Sequence, residues 1–379
     1  MSDFDVTVVG AGVVGLAVAA RLAEQGRRVA VIERRAAIGC ETSSRNSGVI
    51  HAGLYYPAGS LMARMCVEGR RLLYDYCDRR GVPHRRIEKL VVATSADDEP
   101  HLEALAAHAL ANGVDDARLV DGATVARLEP QVRARTALYS PSTGIIDQHA
   151  FMAALRRDAE QHGASLALHT DVVAIDRAPG GYRLATRDAA GERFEISTAA
   201  VVNSAGLRAD RVCALAGLDP DAAGYRLHYW RGDYFSLPAA TAKRVARLIY
   251  PVKRPGSAGL GIHLTIDLGD RARLGPDATY LPGIADPDAI DYRVDAERRM
   301  AFFEAAVRYL PFLSPGDLEP DFAGVRPKLS GPGQPQRDFV IAEESARGLE
   351  RFVNLVGIES PGLTASLAIA REVERLLAG

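Results

Sequence analysis

The chain has 379 residues, 47% of them hydrophobic and 25% charged, a globular composition with room for two or three domains. Its 48 acidic and 46 basic residues give a net charge of −2, which leaves no basic footprint for a nucleic-acid partner. The four cysteines, Cys40, Cys66, Cys77 and Cys213, form no CxxC pair, which argues against a disulfide scaffold or a zinc site and for a reducing, cytoplasmic setting.

Val6 to Ala20 reads as an apolar stretch of fifteen residues, the length of a signal-peptide core. Acidic Asp3 and Asp5 precede it and three glycines interrupt it. It also falls short of the roughly 18 residues that span a bilayer. A soluble chain without a targeting signal or transmembrane helix is expected, with peripheral contact at the inner face of a membrane left open. Asp5 to Val9 reads as a buried strand, Val13 to Gln25 as a helix stopped by Gly26, and Val29 to Glu33 as a second strand. Together they make a βαβ unit of about 30 residues, the size a parallel crossover needs. A helix is expected over 60–80, with Cys66 and Cys77 on one buried face, then a strand over 89–94 and a surface helix over 100–112. Beyond the polar turn Ser140 to Gly144 the pattern predicts a helix over 151–162, strands near 166–176 and 182–187, and a buried strand over 198–204. From about 225 to 325, strands rich in Tyr, Trp and Phe alternate with Pro- and Gly-rich turns, with one helix near 296–309. Residues 352–378 read as strand, glycine-rich turn and helix. βαβ elements at both ends and in the middle, interrupted twice by β-rich segments, predict a discontinuous nucleotide domain with a second domain inserted in two pieces.

Gly10-Ala11-Gly12-Val13-Val14-Gly15 matches G-x-G-x-x-G after a strand and at the opening of a helix, with Glu33 closing the next strand. Gly10 allows the tight turn, Gly12 the approach of a pyrophosphate, and Gly15 close helix–strand packing. The helix N-terminus offers free N–H groups to phosphates, and Glu33 can accept from a ribose hydroxyl. The pattern alone does not choose between NAD and FAD. Ser43 to Pro57 mixes small, polar and aromatic residues without period 2 or 3.6, as a ligand-wrapping loop would.

With that loop, and with Ser142 to Asp147, Asn203 to Asp210, Arg231 to Phe235, Leu248 to Val252, Gly261 to Thr265, Ala323 to Pro327 and Gly357 to Ser366, the chain resembles the D-amino-acid-oxidase-like FAD oxidoreductases. Among them it is most similar to the L-2-hydroxyglutarate dehydrogenases and oxidases. The one departure is Arg45, where His or another polar residue is expected. The resemblance implies an α/β (α+β) fold like that of D-amino-acid oxidase and glycine oxidase. A Rossmann-type FAD-binding domain with a parallel sheet (1–83, 146–224 and 326–379) would carry an antiparallel-sheet substrate cap (84–145 and 225–325). It implies non-covalent FAD, with Gly10, Gly12, Val13, Val14, Gly15, Glu33 and Arg34 at the diphosphate and adenosine. Ser44, Asn46 and Ser47 would follow the pyrophosphate and ribityl chain. Val173 would meet the adenine through its backbone, Ala205 and Gly206 would close the strand beneath, and Gly362, Leu363 and Thr364 would face the flavin's pyrimidine edge.

On the substrate side, a 2-hydroxy acid needs a cation for its carboxylate, preferably a bidentate Arg, and a base for its hydroxyl proton. Arg326, His51 and His263 are the catalytic candidates, with Tyr250, Lys328, Tyr56 and Arg231 as further substrate-binding residues. His263 is expected in mid-strand. His84, His101, His108, His149, His162, His169 and His228 read as surface or hinge residues. The expected reaction is oxidation of L-2-hydroxyglutarate, or a similar small 2-hydroxy dicarboxylate, by hydride transfer to flavin N5. Electrons would pass on to oxygen, a quinone or an electron-transfer chain. An amine oxidase for glycine or sarcosine, a glycerol-3-phosphate dehydrogenase, and a flavin redox sensor without turnover are the alternatives.

Overall fold

The computed structural model describes residues 2–253 and 261–378. Its first layer is a six-stranded sheet in the order Val340–Glu344, Leu349–Val356, Val201–Asn203, Val6–Val9, Val29–Ile32, Ser165–Ala167. The pairs that Val6–Val9 makes with Val29–Ile32 and with Val201–Asn203 are parallel, and the outer strand Val340–Glu344 runs antiparallel. All four residues of Val6–Val9 and of Val29–Ile32 are buried. Continuous branched apolar runs are what a parallel strand covered on both faces requires. The helices Val13–Glu24, Leu61–Arg80, Gln148–Gln161 and Gly362–Ala378 share one core cluster with that sheet.

A second sheet holds nine strands. Its path runs Thr279–Tyr280, His228–Ser236, Ala272–Leu274, Leu264–Ile266, Leu248–Pro251, Lys89–Ala93, Thr136–Ser140, Arg118–Asp121, and Glu319–Lys328 also pairs with His228–Ser236. Apart from the parallel contact between Leu248–Pro251 and Lys89–Ala93, its pairs are antiparallel. The expected combination of a parallel and an antiparallel sheet is therefore what the chain forms. Two small three-stranded sheets complete it, one of them built from Asp171–Ala178, Gly181–Arg187 and Arg193–Thr198.

Two local expectations are corrected. The strand expected near 166–176 is two strands in different sheets, Ser165–Ala167 and Asp171–Ala178. Between them His169 adopts φ 52°, and its N–H and that of Thr170 donate to the carbonyls of Arg35 and Glu33. The strand expected over 198–204 begins only at Val201, because Thr198 closes the strand Arg193–Thr198. The boundaries expected at 145/146 and 325/326 fall inside the strands Gly144–Ile146 and Glu319–Lys328, and residues 254–260 of the expected cap lie outside the described residues.

The last helix lies against Leu61–Arg80, and the two backbones come close at Gly69. A Cβ there would run into the Thr364 carbonyl oxygen and stand 2.8 Å from the Ala365 Cα. Backbone cannot yield as a side-chain tip can, so Gly69→Ala should push the two helices apart. Overpacking of this kind typically costs about 1–3 kcal/mol. A lowered melting temperature is expected for Gly69→Ala, and an unchanged one would contradict the close approach.

Candidate active site

A cavity of about 960 Å³ opens where the ends of the parallel strands face the nine-stranded sheet. At one end it meets the turn between Val6–Val9 and the helix Val13–Glu24. Gly10 sits there at φ 105°, so close to the Ser204 carbonyl that no side chain fits. A Cβ on Gly12 would stand 3.0 Å from Ser43 Oγ and fill the space over the first helical turn. Gly15 does not line the cavity; a Cβ on it would collide with the Gly10 carbonyl, so its absence lets helix and strand pack. Ser43 Oγ accepts from the Val13 N–H at 3.0 Å. The Glu33 carboxylate accepts from the Ala11 N–H at 2.8 Å and the Arg35 N–H at 2.7 Å, and burial raises its pKa. Val13, Val14, Ala205 and Gly206 complete the wall, and Arg34, also on it, is held by Asp288 at 2.7 Å. An uncrowded glycine turn, a helix N-terminus and a carboxylate at the end of the second strand fit the dinucleotide that the sequence implies.

At the other end the nine-stranded sheet supplies the wall. In His228–Ser236 the alternate residues Trp230, Gly232 and Tyr234 face the cavity, as the period of a strand dictates. Opposite them run Arg326, paired with Trp230, and Gly324, paired with Gly232. The two facing glycines make a notch. A Cβ on Gly232 would stand 3.1 Å from Arg326 Nη2, and one on Gly324 would strike the Arg45 carbonyl. Arg326 Nη1 donates to the Asp277 carbonyl at 3.1 Å, and among the described residues no carboxylate comes within ion-pair distance of its guanidinium. Asp277 and Asp233 are instead taken by Arg298.

His263 is buried on the same wall. It lies just before the strand Leu264–Ile266, not within it, after Gly261 at φ 76°. Its Nδ1–H donates to the Gly261 carbonyl at 2.8 Å, which fixes the tautomer and leaves Nε2 as a free acceptor. Its ring stacks on Tyr250 with centroids 3.7 Å apart. Tyr250 is fully buried, yet its hydroxyl has no hydrogen-bond partner among the described residues. His51 lines the cavity from the opposite loop, with Nε2 3.4 Å from Ser360 Oγ. Burial, reinforced by Lys89, pushes both imidazoles down, His263 to about 3. Both are thus neutral at pH 7 and able to accept a proton.

Asn46, Ser47, Tyr56, Gly362, Leu363 and Lys328 also reach the wall, and Lys328 Nζ pairs with Glu359 at 3.1 Å. Besides Gly15, four expected residues do not. Arg231 occupies the far face of its strand, and its Nε and Nη2 donate to the two Asp233 oxygens at 2.7 and 2.8 Å, so it is no substrate cation. Ser44 turns its hydroxyl to the Glu41 carbonyl to close a tight turn, and Ser43 faces the cavity in its place. Val173 lies at a bulge where the register with Gly181–Arg187 shifts, and Thr170 to Val172 form the wall there. Thr364 sits beneath, with its hydroxyl accepting from the His51 N–H at 3.0 Å. Sequence reasoning missed Ser43, Trp230, Tyr234 and Ser360. It also set aside His101 and His108, which reach the wall from the helix Glu99–Ala111 with Ala104 and Leu105. Their spacing i, i+3, i+4, i+7 is one helical face, and that was the available signal.

The model of the FAD dependent oxidoreductase family matches residues 5–376. The mitochondrial L-2-hydroxyglutarate dehydrogenase of Arabidopsis thaliana is 40% identical over 400 residues, covering 97% of this chain and 82% of that protein. The human enzyme of the same name is 31% identical over 97% of this chain and 87% of its own length. Among solved structures, the dithionite-reduced L-alpha-glycerophosphate oxidase from Mycoplasma pneumoniae with FAD bound superposes with a TM-score of 0.86. It is 27% identical and covers 100% of this chain and 96% of that one. Glycine oxidase from Geobacillus kaustophilus, at 22% identity and TM-score 0.78 over 100% and 95% of the two chains, shares the fold. The chain belongs to the FAD dependent oxidoreductase family, and FAD is its cofactor.

The unpaired Tyr250 hydroxyl separates stability from function. An unsatisfied buried hydroxyl costs about 1–3 kcal/mol. Tyr250→Phe should therefore melt at or above the wild-type temperature while losing turnover, if that hydroxyl waits for a ligand. A thermal melt and a steady-state rate on the same preparation check both halves.

Proposed function

We propose that this enzyme oxidises L-2-hydroxyglutarate to the 2-oxo acid. The observation that carries the reading is a guanidinium without a carboxylate partner among the described residues, Arg326, on one wall with a buried neutral imidazole, His263. The two curated relatives named above support the choice of substrate. Arg326 holds the α-carboxylate through its planar fork. His263 Nε2 accepts the proton of the substrate hydroxyl, and His51 lines the same pocket as a second neutral acceptor. Bound FAD supplies the acceptor for the hydride that leaves the substrate's Cα. Lys328, held by Glu359, offers its remaining donors to the distal carboxylate, and Tyr56 closes that side. Gly10, Gly12, Glu33, Asn46, Ser47 and Gly206 would hold the FAD without a covalent bond, and Gly362 and Leu363 would face its flavin. Residues 1–83, 146–224 and 326–379 act as its domain, and 84–145 with 225–325 as the substrate cap.

No helix among the described residues is long and apolar enough to cross a membrane. Electrons pass to oxygen, a quinone or an electron-transfer chain, and the enzyme works in the cytoplasm. Anaerobic bleaching of the flavin against 2-hydroxy acids, glycine, sarcosine and glycerol 3-phosphate tests the substrate. Bleaching by L-2-hydroxyglutarate is expected, and bleaching only by an amine or a phosphate ester would overturn the reading.

Two variants test the residue roles. Arg326→Ala should lower kcat/KM with FAD content unchanged, because losing a buried charge-assisted partner costs about 2–5 kcal/mol. Arg326→Lys should do almost as badly, since lysine keeps the charge without the fork. His263→Asn should lower kcat and flatten the acidic limb of the pH profile. A base works only when unprotonated, and burial holds His263 below its ordinary value, so the wild-type limb should lie below pH 6.5. Wild-type kcat/KM in Arg326→Ala would remove the clamp assignment.

A further inference from the structure

Lys89 opens the strand Lys89–Ala93, five residues that are all buried. It is only 1% exposed and does not line the cavity. No carboxylate among the described residues pairs with it; its Nζ lies over two aromatic rings, 3.9 Å from the Tyr250 centroid and 5.7 Å from that of Tyr55. Tyr250 in turn stacks on His263. A lysine is thus sunk in the core one ring away from the imidazole that faces the substrate. We infer that Lys89 is a positioning residue for proton transfer, whose charge, carried on the Tyr55–Tyr250 platform, keeps protons off His263 and His51.

The groups around it leave that charge unopposed. The Cys66 thiol is pushed up to about 12 by burial, and the Tyr55 and Tyr250 hydroxyls are also raised, so none of the three is an anion at neutral pH. Arg326 adds further positive charge beside His263, as His263 does beside His51 when it takes up a proton, and Lys328 and Glu359 on the same wall are paired with each other. Burial also brings Lys89 itself down to about 7, so it is a cation over the acidic range in which the imidazoles must stay free. Lysine suits this role because its ammonium is a compact point charge at the end of a flexible stem.

The inference rests on the reading that an imidazole of this pocket accepts the substrate's proton. The test compares holoenzyme with Lys89→Met, similar in length and without charge; Lys89→Gln serves if methionine is not accommodated. A unit charge at about 7 Å in protein surroundings displaces a pKa by about one unit or more. Removing it makes the imidazoles easier to protonate, so the acidic limb of kcat/KM should move up by about one pH unit, a roughly tenfold loss below the limb. Nuclear magnetic resonance titration of histidine-labelled, FAD-loaded protein without substrate should show the His51 and His263 signals moving the same way. Lys89→Arg, which keeps the cation, should leave both in place. A merely structural lysine would change stability and leave the limb and the signals where they were, and that result overturns the inference. If the signals move but His263→Asn and His51→Asn leave the limb intact, Lys89 acts as stated and it is the base assignment that fails.

Discussion

Everything at the reacting end of the cavity hangs on one hydroxyl. Thr364, in the first turn of the last helix, accepts from the His51 N–H and donates to the Val49 carbonyl. It thereby joins a loop near the start of the chain to a helix at its end, and fixes where His51 stands relative to Gly362 and Leu363. The hydroxyl is fully buried, so its bonds have no competition from water and an alternative loop position would strand polar groups. Gly69 allows this by letting the helix backbones come close enough for Thr364 to reach the loop.

Burial then sets the chemistry. Loss of solvent is the strongest influence on His51, His263, Tyr250 and Lys89 alike, and it favours the neutral form of each. The pocket therefore offers neutral acceptors, while the Arg326 guanidinium on the same wall remains to meet an anion. The end of the cavity beside the glycine turn works by the opposite rule. There Asp288 gathers Arg34 and Arg208 in half-exposed ion pairs, with Arg35 joining them, and hydrogen bonds from Arg34 hold its carboxyl below the usual range. Exposed pairs add little stability, so their use is to fix the 286–288 turn against the nucleotide sheet.

The nucleotide end was legible because its signal is local. A strand, three glycines at fixed offsets and an acidic residue at the end of the next strand can each be read within about 30 residues, and Gly10, Gly12 and Glu33 all face the cavity. The substrate end depends on contacts hundreds of residues apart, and there single-residue choices slipped. Arg231 and Arg326 look alike in sequence, but the register Trp230↔Arg326 puts Trp230 on the cavity face and so turns Arg231 to the other. A slip of one residue in a strand reverses its faces, which no composition reveals. Ser43 and Ser44 were confused for a similar reason: which of two neighbouring hydroxyls faces a ligand depends on how the tight turn closes. Lys89 was readable in principle. A lysine at the head of an otherwise apolar strand, in a chain that uses arginine for nearly all its basic residues, is a local conflict, and such conflicts gather at functional sites.

The facing glycines show why the fold and the site are one problem. Gly232 and Gly324 sit opposite each other in the most extensively paired strands of the antiparallel sheet. Glycine weakens a strand interior, and two in register weaken it twice. What the pair provides is depth: the Gly232 side leaves room for the Arg326 guanidinium, and the Gly324 side admits the backbone of the loop that carries Asn46 and Ser47. Any side chain at 324 would lift that loop, and any at 232 would run into Pro276 and crowd the Asp277 carbonyl that Arg326 Nη1 bonds to. The sheet gives up local strand propensity at these two positions so that a cation from one wall and a cofactor-facing loop from the other can meet across the same cavity.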